Sequence, residues 1–271
     1  VHRGHMTRNE LAMRNLIIAR AAKDNDAKQV ILVEPDLFFS AQDRGPLPDQ
    51  GFTGHERDVN DYHKFNGQPF TARLYASLLK VSGVDVVITI HNHSVSTQYE
   101  YEKTFGKGNF VNLYPDSLFN YYVKHSGITD PARTVLVAPD KGAFDFVSSV
   151  ARFNGDDFPV VVMDKVRTGE RKIHMTVSAT SPYPIEHVTG KDVVVLDDMV
   201  RTGGTIANCC KILNQYAPNK TIFMTTHFHS SEETKVNLST PAISEIITTS
   251  TLPSILNRDN QGRLRKKMAV L

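Results

Sequence analysis

The sequence predicts an α/β protein whose mostly parallel sheets are flanked by helices, and three observations carry that expectation. Helical and strand patterns alternate along most of the chain. Residues 193–196, Val-Val-Val-Leu, are apolar and mostly β-branched, as befits a strand buried on both faces of a parallel sheet. Polar residues stand just beyond strand ends, the edge at which open α/β sheets bind ligands. Gln42, His93, Asp140, Lys165 and Asp197 would therefore all face one crevice system.

In chain order, residues 10–25 place Met13, Leu16, Ile17 and Ala21 at helical intervals, and residues 29–34 follow as a strand ending at Pro35. Residues 38–44 leave that strand as a polar turn. Residues 45–69 are rich in Gly, Pro, Asp and His without periodicity, which predicts a long surface loop. A helix with Leu74, Leu78 and Val81 on one face leads to a strand over 85–91. At its end, continued alternation would put His91 and His93 on one face, as metal or phosphate ligands or as ordinary hydrogen-bonded histidines. Residues 94–132 are mixed, with a short helix around 118–124 and a domain junction near 117.

Alternation then resumes. Residues 134–138 form a strand running into Pro139-Asp140-Lys141-Gly142, 143–152 a helix, and 159–163 a strand. The basic segment 164–172 suits a flap carrying cations, or a solvated charged hairpin, and 173–179 its return strand. Strands are expected at 221–226, 245–249 and 268–271.

The most informative stretch is 193–206. The buried strand ends in Asp197-Asp198, a loop Arg201-Thr202-Gly203-Gly204-Thr205 follows, and a helix begins with Ile206, Cys209, Leu213 and Tyr216 at helical spacing. Glycines admit an anion close to the backbone, the threonines add hydroxyl donors, and the helix start offers unpaired N–H groups and the positive end of its dipole. A phosphate fits that loop. The Asp pair can accept hydrogen bonds from sugar hydroxyls or hold a metal-bound water.

Composition narrows the alternatives. The chain has 271 residues, 40% hydrophobic and 22% charged, an ordinary soluble balance. Its 31 basic and 29 acidic residues leave a net charge of +2, so anion binding must be local, and charge neither favours nor excludes nucleic acid. Cys209 and Cys210 are adjacent and cannot form a routine disulfide, which fits a reducing compartment, by default the cytoplasm. No apolar run approaches the ~18 residues of a membrane span, and no signal-peptide pattern opens the chain. It begins without Met, so residues are expected upstream of Val1. No tandem repeat is evident.

Taken in order, these segments resemble ribose-phosphate diphosphokinase, the family that makes phosphoribosyl diphosphate (PRPP). Residues 197–205 look like the PRPP motif that the family shares with type I phosphoribosyltransferases. Residues 40–44 resemble its Tyr-Ala-Arg-Gln-Asp-Arg turn, 68–85 its Pro-Ile-Ser-Ala-Lys helix and following strand, and 90–93 its Met-Asp-Leu-His. Ala138-Pro139-Asp140 matches its Ser-Pro-Asp, residues 164–167 its Asp-Lys-Arg-Arg, and Thr226-His227 a Thr-His pair.

The resemblance implies two similar phosphoribosyltransferase-like (type I) domains, 1–117 and 118–253, and a tail, 254–271, returning to the first domain. It implies transfer of the diphosphoryl group of MgATP to ribose 5-phosphate, with Mg²⁺ as cofactor, in nucleotide biosynthesis. By the match, Lys165 and Arg167 are catalytic flap cations. Asp197, Asp198, Arg201, Thr202, Gly203, Gly204 and Thr205 bind ribose 5-phosphate; Gln42, Asp43, Arg44 and His93 bind ATP; and His93 and Asp140 hold the metal. A homo-oligomer, dimer or hexamer, is implied, with no nucleic-acid or membrane partner.

The chain also departs from the pattern. Ala41 replaces an ATP-contacting Arg, Arg201 stands where Asp is usual, and His91-Asn92 replaces Asp-Leu. The loop 45–66 is longer than its counterpart, and the upstream adenine-binding hairpin lies outside this sequence. These departures motivate two alternatives, a non-catalytic regulatory homologue and a phosphoribosyltransferase that consumes PRPP.

Overall fold

The computed structural model describes residues 7–52, 57–168 and 172–271, apart from the side chains of 165–168 and 172–174. The chain divides into two compact units, Val1–Tyr114 and Pro115–Leu271.

In the second unit, a helix α5 (Asp116–His125) precedes strand β4 (Thr134–Ala138), after α1–α4 and β1–β3 of the first unit, given below. There follow α6 (Phe144–Ala151), β5 (Val160–Thr168), β6 (Lys172–Val177), β7 (Asp192–Val200) and α7 (Gly204–Asn214). The chain closes with β8 (Lys220–Phe228), α8 (Glu232–Leu238), β9 (Glu245–Thr248), α9 (Arg258–Gln261) and β10 (Met268–Val270). The seven strands form one sheet in the order β10-β9-β8-β7-β4-β5-β6, parallel except for the antiparallel β5–β6 hairpin.

Both faces of this sheet are dry. Val193 and Val195 point into one core with Val135, Val137 and Phe223, while Val194 and Leu196 point into another with Leu136, Ala138 and Ile222. The period of two along each strand sends successive apolar residues to opposite cores, so an uninterrupted valine run is what the middle of the sheet requires.

The first unit contains α1 (Arg8–Asp24), β1 (Ile31–Val33), α2 (Val59–His63), α3 (Thr71–Ser82), β2 (Val86–Ile90), α4 (Val95–Phe105) and β3 (Phe110–Leu113). Its strands form a parallel sheet, β1-β2-β3. The core gathers Tyr75, Ala76 and Leu79 of α3, Ala12 and Ala19 of α1, Tyr101 and Phe105 of α4, and Val87 of β2.

Several expectations change here. The helix over 71–82 exists, but Leu74, Leu78 and Val81 are exposed, Val81 at 79%, while Leu79 is fully buried. Small Ala72 and Ala76 flank Tyr75, and that stripe packs inward instead. Met13 and Ile17 of α1 are likewise exposed. Helix α4 and strand β3 occupy a stretch whose pattern is mixed in the sequence; α4 buries Ser96, Thr97 and Glu100 beside Tyr101, which masks its apolar period.

The long loop is built around one side chain. The Arg57 guanidinium, 3% exposed, donates to the carbonyls of Gly45 (2.7 Å), Gln50 (2.7 Å) and Gly51 (3.2 Å) and to Asp61 Oδ2 (2.6 Å). One planar fork thus satisfies backbone groups that no helix or sheet ladder reaches. The last strand of the tail, β10, pairs with β9, Met268 opposite Ile246 and Val270 opposite Thr248, and its half-buried side chains pack on the second unit's cores.

Strand β1 ends at a buried carboxylate. Glu34, 5% exposed, accepts from the Phe38 amide (2.9 Å), Asn15 Nδ2 (2.8 Å) and the Tyr75 hydroxyl (3.1 Å), so α1, α3 and the following turn meet on it. Burial pushes its carboxyl from 4.5 to about 7 against the Phe38 amide, Tyr75 and Arg8, with Asp36 adding to the rise. A raised carboxyl favours the protonated folded state, so stability is fullest below the ordinary carboxylate range and falls as pH rises toward 7. Denaturant unfolding at pH 5, 6.5 and 8 is expected to show that fall, and Glu34→Gln to flatten it; equal slopes for both proteins would assign the proton elsewhere.

Candidate active site

In the second unit the phosphate-type loop is held from behind. The Arg201 carbonyl accepts from the hydroxyls of Ser231 (3.3 Å) and Thr234, and the Thr202 carbonyl from Asn237 Nδ2 (2.8 Å). All three side chains belong to α8 or its N-cap. With its carbonyls tied to α8, the loop passes through Gly203 at φ +75° into α7, whose first turn carries no side-chain cap among the described residues. The uncapped amides and the dipole end make this an anion cradle. The bonds from Ser231, Thr234 and Asn237 are tertiary and leave no local signal in the sequence. Gly203 itself is irreplaceable on two counts: a Cβ there would lie 2.9 Å from Leu238 Cγ, and its φ is left-handed.

Carboxylates gather beside the loop. Strand β7 runs on through Asp197 and Asp198 to Val200, further than the sequence suggests, so the pair lies within the strand's last turn of pleat. Asp197 Oδ1 accepts the Asp198 amide (3.0 Å), and Asp198 Oδ1 the Met199 amide (2.7 Å). Asp197 keeps some surface, yet the protein packed around its carboxyl, then Asp198, then Asp140, push it well above the carboxylate range. Crowding by two like charges outweighs that residual exposure.

Asp140 follows β4, the strand between β5 and β7. Its Oδ1 accepts the amides of Gly142 (3.0 Å) and Ala143 (3.3 Å), capping the turn Lys141–Ala143. Lys141, which the sequence reading left without a role, reaches from that turn to Asp164 of β5 at 2.6 Å. An ion pair this exposed contributes little, about 0–1 kcal/mol, to stability. It marks a cation at the carboxyl edge that a stronger anion could recruit. Strand β5 does not stop at residue 163. It continues to Thr168 and pairs with β6, Lys165 opposite Met175 and Arg167 opposite Ile173. The side chains of Lys165 and Arg167, and residues 169–171, lie outside the described part of the chain.

In the first unit, His91 and His93 do not share a face. The strand ends at Ile90, His91 adopts φ +48° and is buried, and His93 is exposed just before the Ser94 cap of α4. The start of α4 links His93 to the polar turn: Ser96 Oγ donates to the Asp43 carbonyl (2.6 Å) and Thr97 Oγ1 to the Ser40 carbonyl (2.8 Å). Gln42 is exposed, and its carbonyl accepts the Ala72 amide (3.2 Å). Arg44 lies over the Phe65 ring, 4.9 Å from its centroid, with Asp43 (3.6 Å) and Asp61 (3.7 Å) nearby.

No group of three or more His, Cys, Asp or Glu that could hold a metal occurs among the described residues. Nor is any described helix long and apolar enough to cross a membrane. Cys209 and Cys210 are buried on α7, and burial pushes the Cys210 thiol up to about 12.

Residues 123–249 match the phosphoribosyl transferase domain. The chain is 28% identical over 241 residues to the ribose-phosphate pyrophosphokinase of Aeropyrum pernix, covering 88% of this chain and 67% of that protein. It is 28% identical over 246 residues to that of Corynebacterium efficiens, covering 90% and 66%. To the Saccharomyces cerevisiae ribose-phosphate pyrophosphokinase 2 it is 26% identical, covering 93% and 69%. The chain spans about two thirds of the length of these relatives. The crystal structure of phosphoribosylpyrophosphate synthetase from Mycobacterium smegmatis superposes with a TM-score of 0.74 at 24% identity, covering 97% of this chain and 74% of that one.

Two outcomes follow from the geometry. Gly203→Ala is expected to destabilise the fold by about 1–3 kcal/mol, read as a lowered denaturation midpoint, since strain and the Leu238 contact act together. Asp197→Asn, which removes one of three mutually repelling carboxyls, is expected to raise the melting temperature at pH 8 more than at pH 5; a larger gain at pH 5 would contradict the raised carboxyl.

Proposed function

We propose that this chain, similar in sequence to ribose-phosphate pyrophosphokinases and sharing the fold of phosphoribosylpyrophosphate synthetase, transfers the diphosphoryl group of MgATP to O1 of ribose 5-phosphate. The O1 hydroxyl attacks the β-phosphorus, the bond from that phosphorus to the α-phosphate oxygen breaks, AMP leaves, and the hydroxyl proton passes to solvent. The carrying observation is extent: 241 aligned residues cannot fit within the second unit, so the relationship includes the first unit as well as the phosphoribosyl transferase domain. An enzyme that merely consumed PRPP would need only the latter.

In this proposal the loop Arg201-Thr202-Gly203-Gly204-Thr205 holds the 5-phosphate, and Asp197 and Asp198 accept from the ribose hydroxyls. The carbonyl clamp of α8 keeps the loop amides in place before substrate arrives, which lowers the cost of ordering on binding. Lys165 and Arg167 supply charge to the equatorial oxygens of the transferring group, where phosphoryl transfer is catalysed chiefly by positioning and electrostatics. Gln42, Asp43, Arg44 and His93 take the nucleotide. His93 in the first unit and Asp140 in the second are each proposed to bind Mg²⁺, directly or through water, where the ion would offset charge between phosphates. A homo-oligomer, dimer or hexamer, in the cytoplasm accords with the relationship.

A second reading, a non-catalytic partner of an active homologue, draws on Ala41 and Arg201. Assays of AMP release separate the two. We expect release that requires both ribose 5-phosphate and Mg²⁺ and falls by about 10²–10³ in Lys165→Ala, as for loss of one transition-state donor. No AMP from a purified chain extended to the length of its relatives would overturn the proposal.

A further inference from the structure

The insertion 45–66 does more than cover surface. Arg44, the last residue of the candidate nucleotide turn, lies 3.6 Å from its chain neighbour Asp43 Oδ1 and has two supports from the loop, the Phe65 ring at 4.9 Å and Asp61 Oδ1 at 3.7 Å. Both supports also hold Arg57, whose guanidinium lies 5.4 Å from the same ring and 2.6 Å from Asp61 Oδ2. A second ring, Tyr62, stands 4.7 Å from Arg57. Asp61 thus sits between two guanidiniums, and Phe65 meets both.

The two cations differ in what they can do. Arg57 is buried and its fork is spent on the loop carbonyls and Asp61, so it is unable to reach a ligand. Arg44 keeps a third of its side chain exposed, and its buried Nε has no hydrogen-bond partner among the described residues. Its direction is therefore set by the ring and by charges at long range, weak restraints on a side chain with many rotamers. They act only if ring and carboxylate are already fixed. Arg57 fixes them: its Nε donates to Asp61 Oδ2 at 2.6 Å, a bond that also holds the Asp61 carboxyl below its ordinary value, and its guanidinium lies against the Phe65 ring.

We propose that Arg57 is a positioning residue which, through Asp61 and Phe65, sets the direction in which Arg44 presents its guanidinium to an anionic group of the nucleotide. This rests on the placement of Arg44 in the nucleotide site argued above. The insertion then supplies, from within the chain, an ordered backing for a site that has lost a cation at Ala41.

A double-mutant cycle tests the coupling. The measured quantities are KM for MgATP and kcat in AMP release, with a thermal melt of each variant. Arg44→Ala is expected to raise KM about tenfold, the loss of one charge-assisted contact. Asp61→Asn and Phe65→Leu should each raise KM by about three- to tenfold with kcat within about twofold, and should have no further effect in the Arg44→Ala background. Arg57→Met should combine both losses; if it does not fold, the rim variants at 61 and 65 decide alone. Equal effects of Asp61→Asn in the wild-type and Arg44→Ala backgrounds would overturn the positioning role. An unchanged KM in Arg44→Ala would instead remove Arg44 from the nucleotide site, a failure of the underlying proposal distinguishable from the first.

Discussion

The seven-stranded sheet of the second unit is buried on both faces, and the placement of chemistry follows from that constraint. Val193 to Leu196 alternate between two apolar cores, so no polar side chain can be carried there without loss of packing. Polar groups collect where the strands stop. Asp140 follows β4, Asp164 lies midway along β5, just past its parallel pairing with β4, and Asp197 and Asp198 lie near the end of β7, on three neighbouring strands in a single sheet. The crowding is electrostatically unfavourable: desolvation, Asp198 and Asp140 all oppose ionisation of Asp197. Such opposition, retained beside an uncapped helix start, is what sites that bind polar ligands commonly show.

The helix start and the acids cooperate because the loop between them is fixed by its backbone. Helix α8 contributes little beyond Leu238 to the core, yet Thr234 and Asn237, with Ser231 at its cap, anchor two consecutive carbonyls of the loop. In the first unit the same device recurs with other residues. Ser96 and Thr97 at the start of α4 anchor the carbonyls of Asp43 and Ser40, so the residues expected to meet the nucleotide ride on a helix terminus as well.

Much of this was legible from the residues. Strand β4 and the valine run of β7 are apolar in both cores, so their pattern had no competing interpretation. The Asp-Asp and Thr-Gly-Gly-Thr segment pointed to the loop because glycine and a helix start leave local signatures. Other features depend on contacts distant in sequence. The inward face of α3 was misjudged because Ala72, Ala76 and Tyr75 outcompete the leucines by fit and by the Tyr75–Glu34 bond. The carbonyls of Gly45 and Gln50 are gathered by a single arginine, Arg57, and a lone Arg in a polar stretch resembles any solvated charge. His91 and His93 parted because the chain takes a left-handed residue where strand alternation would have continued.

Because α8 grips Arg201 and Thr202 by their carbonyl oxygens, the loop's course does not depend on which side chain stands at 201. The side chain at that position is solvent-facing, while Gly203, pressed against Leu238, is not open to exchange. A change of side chain at 201 can therefore alter what the loop presents to a ligand without unravelling the cradle.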